Sequence, residues 1–253
     1  MDAPAPPAPP APPAPPPPRD AFPLVISIEG NIGVGKTTVI EALKTIFKDN
    51  KRVAVLTEPV EEWEAGGFLA AMYENRVDPA VFQHMVLMSL AGDLLHKLNE
   101  RDHVLIITER SAKGNFHVFG KANLTTGTVE HDMYKFTYDR VMHGFPFDMR
   151  QSFIYLKATT ETVKTRMAER GREAESGVAD SYLRKLSDLH DEWLDNEPDV
   201  TTIYTDNMSR DAAFHQVRMH IALELANYAT YEPHLSSKQH CALASAMDAL
   251  GMK

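Results

Sequence analysis

From Gly30 to Thr37 the chain reads Gly-Asn-Ile-Gly-Val-Gly-Lys-Thr. Glycines at that spacing, closed by a lysine and a hydroxyl, suit a loop that wraps a polyphosphate. Gly30, Gly33 and Gly35 let the backbone turn with positive φ and come close to an anion. Successive backbone N–H groups then face the phosphates, and the helix that follows adds its positive end. The expected triphosphate contacts are Gly30, Asn31, Ile32, Gly33, Val34, Gly35, Lys36, Thr37 and Thr38, with Lys36 on the outer phosphates and the Thr37 hydroxyl toward a magnesium ion. Two more groups of ionisable residues belong to the same chemistry. Glu58, and Glu109 with Arg110, each follow a short apolar run. A carboxylate beside a phosphate site must hold a metal or take a proton, whereas an arginine there clamps phosphoryl oxygens. Arg166, Arg170 and Arg172 form a basic cluster in which the i, i+4 pair shares one helix face. They suit a mobile lid over a triphosphate, although a solvated helix end has the same composition.

These residues need elements to hold them. Leu24–Ile28 is an apolar run of strand length, and Val39, Ile40, Leu43, Ile46 and Phe47 give the next segment a helical stripe. Further strands are expected at 52–57, 104–108, 152–156 and 200–205. Helical spacing is expected at 66–74, 79–100, 160–172, 180–195 and 211–228, with a weak helix in the last fifteen residues. Strands alternating with helices give a parallel sheet covered on both faces, and ligands collect at its C-terminal strand ends. Glu58, Glu109 and Arg110 stand at such ends.

Composition sets the bounds. The chain has 253 residues, 43% of them hydrophobic, enough for one large α/β domain, expected over 21–253. No apolar run approaches a membrane span, so a soluble, cytoplasmic protein is expected, without a membrane partner. The formal charge of −9 argues against nucleic acid as a partner. Cys241 is the lone cysteine, which excludes an intrachain disulfide, and the eleven histidines form no zinc-ligand spacing. Residues 1–20 form a leader that is almost all Pro and Ala up to residue 18; it resembles neither a transit nor a signal peptide and reads as an extended tail or a docking segment.

The ordered set of landmarks resembles the deoxyribonucleoside kinases, the family of deoxycytidine, deoxyguanosine and mitochondrial-type thymidine kinases. The landmarks are Ile28–Thr37, Glu58-Pro-Val-Glu-Glu-Trp63, Met72-Tyr73, Phe82-Gln83, Glu109-Arg-Ser111 and Arg166 through Tyr182. The resemblance implies a P-loop NTPase-type, three-layer α/β fold with a five-stranded parallel sheet and a helical lid, in a homodimer using ATP and Mg²⁺. It makes Glu58 the base that takes the proton of a nucleoside 5′-hydroxyl. Lys36, Arg110, Arg166 and Arg170 balance charge on the moving phosphoryl group, Arg170 and Arg172 reach the donor from the lid, and Thr37 with Glu109 hold the metal. Tyr73 and Glu175 match the pair on the sugar 3′-hydroxyl, Gln83 the reader of the base edge, and Trp63, Phe82 and Phe119 the walls. The stretch 205–211 is expected near the adenine.

Two positions depart from the deoxycytidine and purine enzymes, which carry an Arg–Asp pair where this chain has Leu90 and Asn115. With Val86 three residues after Gln83, the pocket is expected to favour thymidine, then other pyrimidine deoxynucleosides. The rival readings are a thymidylate kinase, which has the same loop and lid, a GTPase-like switch, and a non-catalytic P-loop protein. The switch would need a guanine-reading Asn-Lys-x-Asp, which is absent.

Overall fold

The computed structural model describes residues 21–146, 149–172, 175, 177–232 and 235–252. The Pro/Ala leader with its docking reading, and Glu173 of the expected lid, lie outside the described residues. Five strands, β1 (Leu24–Gly30), β2 (Val53–Leu56), β3 (Leu105–Glu109), β4 (Gln151–Lys157) and β5 (Val200–Tyr204), form one sheet in the order β2-β3-β1-β4-β5. Each neighbouring pair is parallel. All seven residues of β1 are buried, as its central place demands.

Alternation along β1 sorts the two faces. Leu24, Ile26 and Ile28 join the larger core with Val39, Ile40 and Leu43 of α1 (Lys36–Phe47). Helices α10 (Arg210–Tyr231) and α11 (Ser237–Ala249) close that layer. Val25 packs the other way, against Leu94 and Leu98 of α4 (Pro79–Glu100). Ser27 and Glu29 share that second face and are fully buried. Helix α4 starts where Asp78 accepts from Ala80 N at 2.7 Å and Pro79 takes the first turn, a start that needs no donor from proline. The remaining helices of this layer are α7 (Val129–Met142) and α9 (Asp180–Leu194).

Strand and helix positions match the sequence expectations to within a few residues, with the last helix stronger than expected. Ser236 and Gln239 form a reciprocal capping box at its start. Other elements have no counterpart in the sequence reading. They are α2 (Val60–Ala65), the stretch of α5 (Ala112–Gly114), a π-helical turn (Asn115–Gly120) and α6 (Lys121–Asn123), and α7 itself. Helix α3 (Phe68–Tyr73) and lid helix α8 (Thr160–Arg170) complete the chain. Among the described residues no helix is long and apolar enough to cross a membrane.

Candidate active site

The loop after β1 takes the backbone its glycines predict. Gly30, Gly33 and Gly35 have φ of 144°, 74° and 111°. A Cβ on Gly30 would stand 2.4 Å from Leu156 O, and one on Gly33 would stand 2.5 Å from Met167 Cγ. These two glycines therefore serve close packing as well as turning. Lys36 is curled into the loop, donating to Gly30 O at 3.0 Å and Asn31 O at 2.9 Å. Burial pushes its ammonium down to about 7, with Arg110 adding to the effect. A polyanion in the loop would hold the proton on it. The Asn31 side chain accepts from Ile32 N of the loop at 2.8 Å and donates to Leu183 O of α9 at 2.7 Å. It ties the loop to the far layer.

The ends of β2 and β3 meet beside Lys36. Arg110 Nε donates to Glu58 Oε1 at 3.0 Å, and its guanidinium lies over Phe119, 4.1 Å from the ring centroid. Arg110 is held at a φ of 66°, an uncommon backbone for a residue other than glycine and one that clusters at functional sites. Its Nη1 is buried with no partner among the described residues, so the guanidinium retains a donor for a ligand. Thr37 Oγ1 donates to Glu109 Oε1 at 2.6 Å. Burial, with Glu58 adding to it, holds the Glu109 carboxyl above the usual range.

Two cavities open on these groups. One is lined by Glu58, Trp63, Tyr73, Phe82, Gln83, Val86, Arg110, Asn115, Phe119 and Glu175, with Val60, Leu69, Met72 and Tyr182. The other lies along Val34 to Val39 and reaches Arg166, Thr205, Met208, Ser209, Arg210 and Ala213. Gly33, Lys36, Thr37, Arg170 and Arg172 line both. The junction therefore sits at the phosphate loop, as transfer between two ligands requires.

Most residues picked from sequence gather here, but their present contacts differ from the expected ones. Arg166 donates to Val34 O at 2.8 Å and Thr205 O at 2.7 Å, bracing the loop against the end of β5. Arg170 pairs with Glu175, and Arg172 bonds Glu175 at 3.0 Å and Glu64 at 2.8 Å. Leu90 lines neither cavity; it packs behind Trp63, Phe82 and Val86. The expected wall at that position is thus set by Val86, one helical turn nearer the loop.

Glu29 was missed by the sequence reading. It is fully buried, accepts from Ser111 Oγ at 2.6 Å, and leaves Oε2 with no partner among the described residues. Burial pushes its carboxyl up to about 7, against the opposing pull of Arg110. A charged residue at the last step of a strand covered on both faces was the available signal.

The match to known sequences decides the family. A family model described as deoxynucleoside kinase matches residues 26–228. The chain belongs to the deoxynucleoside kinase family. A probable deoxycytidine kinase of fowlpox virus (strain NVSL) is 32% identical over 176 residues, covering 67% of this chain and 71% of its own. Deoxycytidine kinase 1 of Xenopus laevis is 30% identical over 197 residues, 67% of this chain and 73% of its own. The thymidine kinase of Ictalurid herpesvirus 1 (strain Auburn) is 32% identical over 187 residues, 71% of this chain and 78% of its own. As a deoxynucleoside kinase, the protein moves phosphate from ATP to a deoxynucleoside. The matched span includes both cavities from the phosphate loop to α10.

Proposed function

We propose that this kinase phosphorylates the 5′-hydroxyl of pyrimidine deoxynucleosides, thymidine first, in nucleotide salvage. The observation that carries the reading is the meeting of two cavities at Lys36 and Thr37, with the Glu58–Arg110 pair on the nucleoside side. The triphosphate lies in the loop cavity, its adenine toward 205–211. The nucleoside lies among Trp63, Tyr73, Phe82, Gln83, Val86, Asn115 and Phe119.

Glu58 accepts the 5′-hydroxyl proton as that oxygen attacks the γ-phosphorus. The bond from phosphorus to the bridging oxygen breaks, and the charge leaves with the diphosphate. Arg110 holds the Glu58 carboxylate in place and offers its remaining N–H groups to the moving phosphoryl. Lys36 neutralises the outer phosphates. Arg170 and Arg172 release Glu175 as the lid closes, which frees the arginines for the donor and Glu175, with Tyr73, for the sugar 3′-hydroxyl. Arg166 follows the same closure from its seat on the loop.

The residues present fit a magnesium ion. Thr37 and Glu109 bring a hydroxyl and a carboxylate together beside the loop. Magnesium favours this kind of site, with one or two protein oxygens and the rest phosphate and water, and among the described residues no three carboxylates, histidines or cysteines form a cage. When bound, the ion would neutralise charge on the β- and γ-phosphates.

The apolar Val86 wall, the absence of an Arg–Asp pair at 90 and 115, and the neutral amide of Gln83 support a thymine-type base. A methyl pocket discriminates by only about 1–3 kcal/mol, so other pyrimidines remain substrates. Steady-state kinetics with thymidine, deoxycytidine, deoxyadenosine and deoxyguanosine test this. The expected order has thymidine first, deoxycytidine second and purines last; a purine with the largest kcat/KM would contradict it. A thymidylate kinase is the rival. The Glu58 carboxylate, at the acceptor end of the cavity, would repel a substrate already bearing a phosphate. The enzyme further pairs as a homodimer through α4 and α7, whose outer faces carry Val81, Met88, Val129, Met133 and Phe136 into solvent.

A further inference from the structure

Deep in the nucleoside cavity a chain of three polar side chains runs inward from Gln83. Asn115 Nδ2 donates to Gln83 Oε1 at 2.8 Å, and the Tyr134 hydroxyl donates to Asn115 Oδ1. Each residue is 1% exposed. An amide can be turned over without changing its shape, so the tyrosine decides the direction. Reversed, with Gln83 donating to Asn115 and Asn115 to Tyr134, the buried hydroxyl hydrogen would have no acceptor among the described residues. The tyrosine cannot swing away. Its ring stacks on Phe116 at 5.7 Å and meets the His84 edge at 5.2 Å. Gly120 gives way to it, since a Cβ there would stand 2.5 Å from Tyr134 Cε1.

We propose that Tyr134 is a positioning residue that locks Asn115 and Gln83 to select 4-oxo over 4-amino pyrimidines. The proposal rests on the reading above, in which Gln83 faces the base. The lock leaves one lone pair on Gln83 Oε1. Both hydrogens of Gln83 Nε2 and the second hydrogen of Asn115 Nδ2 have no protein acceptor among the described residues, and both side chains line the cavity. Such a wall is rich in donors. Thymine and uracil present a carbonyl, an N3–H and a carbonyl. N3–H fits the free lone pair, and the carbonyls on either side of it accept from the Gln83 and Asn115 amides. Cytosine can give one amino hydrogen to Gln83 Oε1 and take Nε2–H at N3, but its second amino hydrogen then meets the Asn115 donor. Two donors face each other with nothing to accept.

The test measures kcat/KM for thymidine, deoxyuridine, deoxycytidine and 5-methyldeoxycytidine, in the wild type and in Tyr134→Phe. The panel separates the base methyl from the group at position 4. The expected result is that both 4-oxo substrates exceed both 4-amino ones by roughly tenfold to a hundredfold, with or without the methyl. In Tyr134→Phe, Asn115 is free to turn over. The ratio should fall about tenfold through a rise for the 4-amino substrates, with KM for ATP unchanged within about twofold. Equal use of thymidine and 5-methyldeoxycytidine by the wild type would overturn the proposal and leave the pyrimidine kinase reading intact. So would an unchanged ratio in a folded Tyr134→Phe. Phosphorylation of no nucleoside would overturn both. If Tyr134→Phe does not fold, Asn115→Asp reads the same device by replacing the donor with an acceptor. Preference should then move to the 4-amino bases, and an unmoved preference would overturn the lock.

Discussion

In the proposed mechanism Glu58 and Arg110 act as a pair, and their contact decides how that mechanism should be probed. Truncating Glu58 would leave a buried guanidinium without its partner, so a loss of activity would mix chemistry with collapse. Glu58→Gln removes the basicity and the charge but keeps the shape and an oxygen for Arg110 Nε, so it disturbs the pair less than truncation does. We expect turnover to fall about 10²- to 10⁴-fold, with thymidine still bound at near wild-type affinity by equilibrium titration. Turnover within a few-fold of wild type would remove Glu58 from the role of base. Glu29 stands behind this pair. Its carboxyl, bonded to Ser111, reaches the Glu109-Arg110-Ser111 turn from beneath, and Gly114 is confined because a Cβ there would stand 2.5 Å from that carboxylate. The left-handed backbone of Arg110 is thus held from below by a buried acid and a glycine.

Among the elements, α9 carries one acid-sensitive group of the fold. His190, fully buried on α9, bonds Leu186 O at 2.7 Å, stacks on Tyr155, and leaves Nε2 without a partner among the described residues. Burial, with Arg110 adding to it, pushes its imidazole from the ordinary 6.5 down to about 3. Above pH 6.5 neither state is protonated there. Below it the unfolded chain takes a proton that the folded one refuses, so stability falls by about 1.4 kcal/mol per pH unit until about pH 3. Urea unfolding of His190→Phe between pH 7.5 and 5 should lose that component of the slope. Parallel curves for the two proteins would place the acid sensitivity elsewhere. Elements whose burial follows a simple period were legible in the sequence: β1, β3, β4, α1 and α4 all show it. The π-helical turn and α7 were not. The π turn obeys neither the helical nor the strand period, and it brings Asn115 to Gln83. Helix α7 shows Val129, Met133 and Phe136 to solvent, so its apolar residues do not mark an inward face. Tyr134, the side chain on α7 that reaches the site, looked like any core aromatic. Chain order supplied the residues of the site, but not that Arg166 braces the loop or that Glu175 is tied to the lid arginines.

At the scale of the whole molecule, the sheet order puts β1 in the centre with β3 and β4 beside it. The phosphate loop, the Glu-Arg-Ser turn and the approach to the lid are therefore neighbours in space while far apart in sequence. The two outer helices α4 and α7 leave five large apolar side chains in water, a face that a second copy would cover. Met133→Glu combined with Phe136→Glu should convert a dimer to a monomer in sedimentation, since buried like charges would face each other across a two-fold axis. An unaltered sedimentation coefficient would exclude α7 from the interface. The central claim is that the acceptor is a nucleoside hydroxyl rather than a phosphate. Incubating the enzyme with γ-labelled ATP, Mg²⁺, and thymidine or its 5′-monophosphate in parallel tests it most directly. The account predicts label in thymidine monophosphate from the first reaction and none in the diphosphate from the second; label in the diphosphate alone would contradict it.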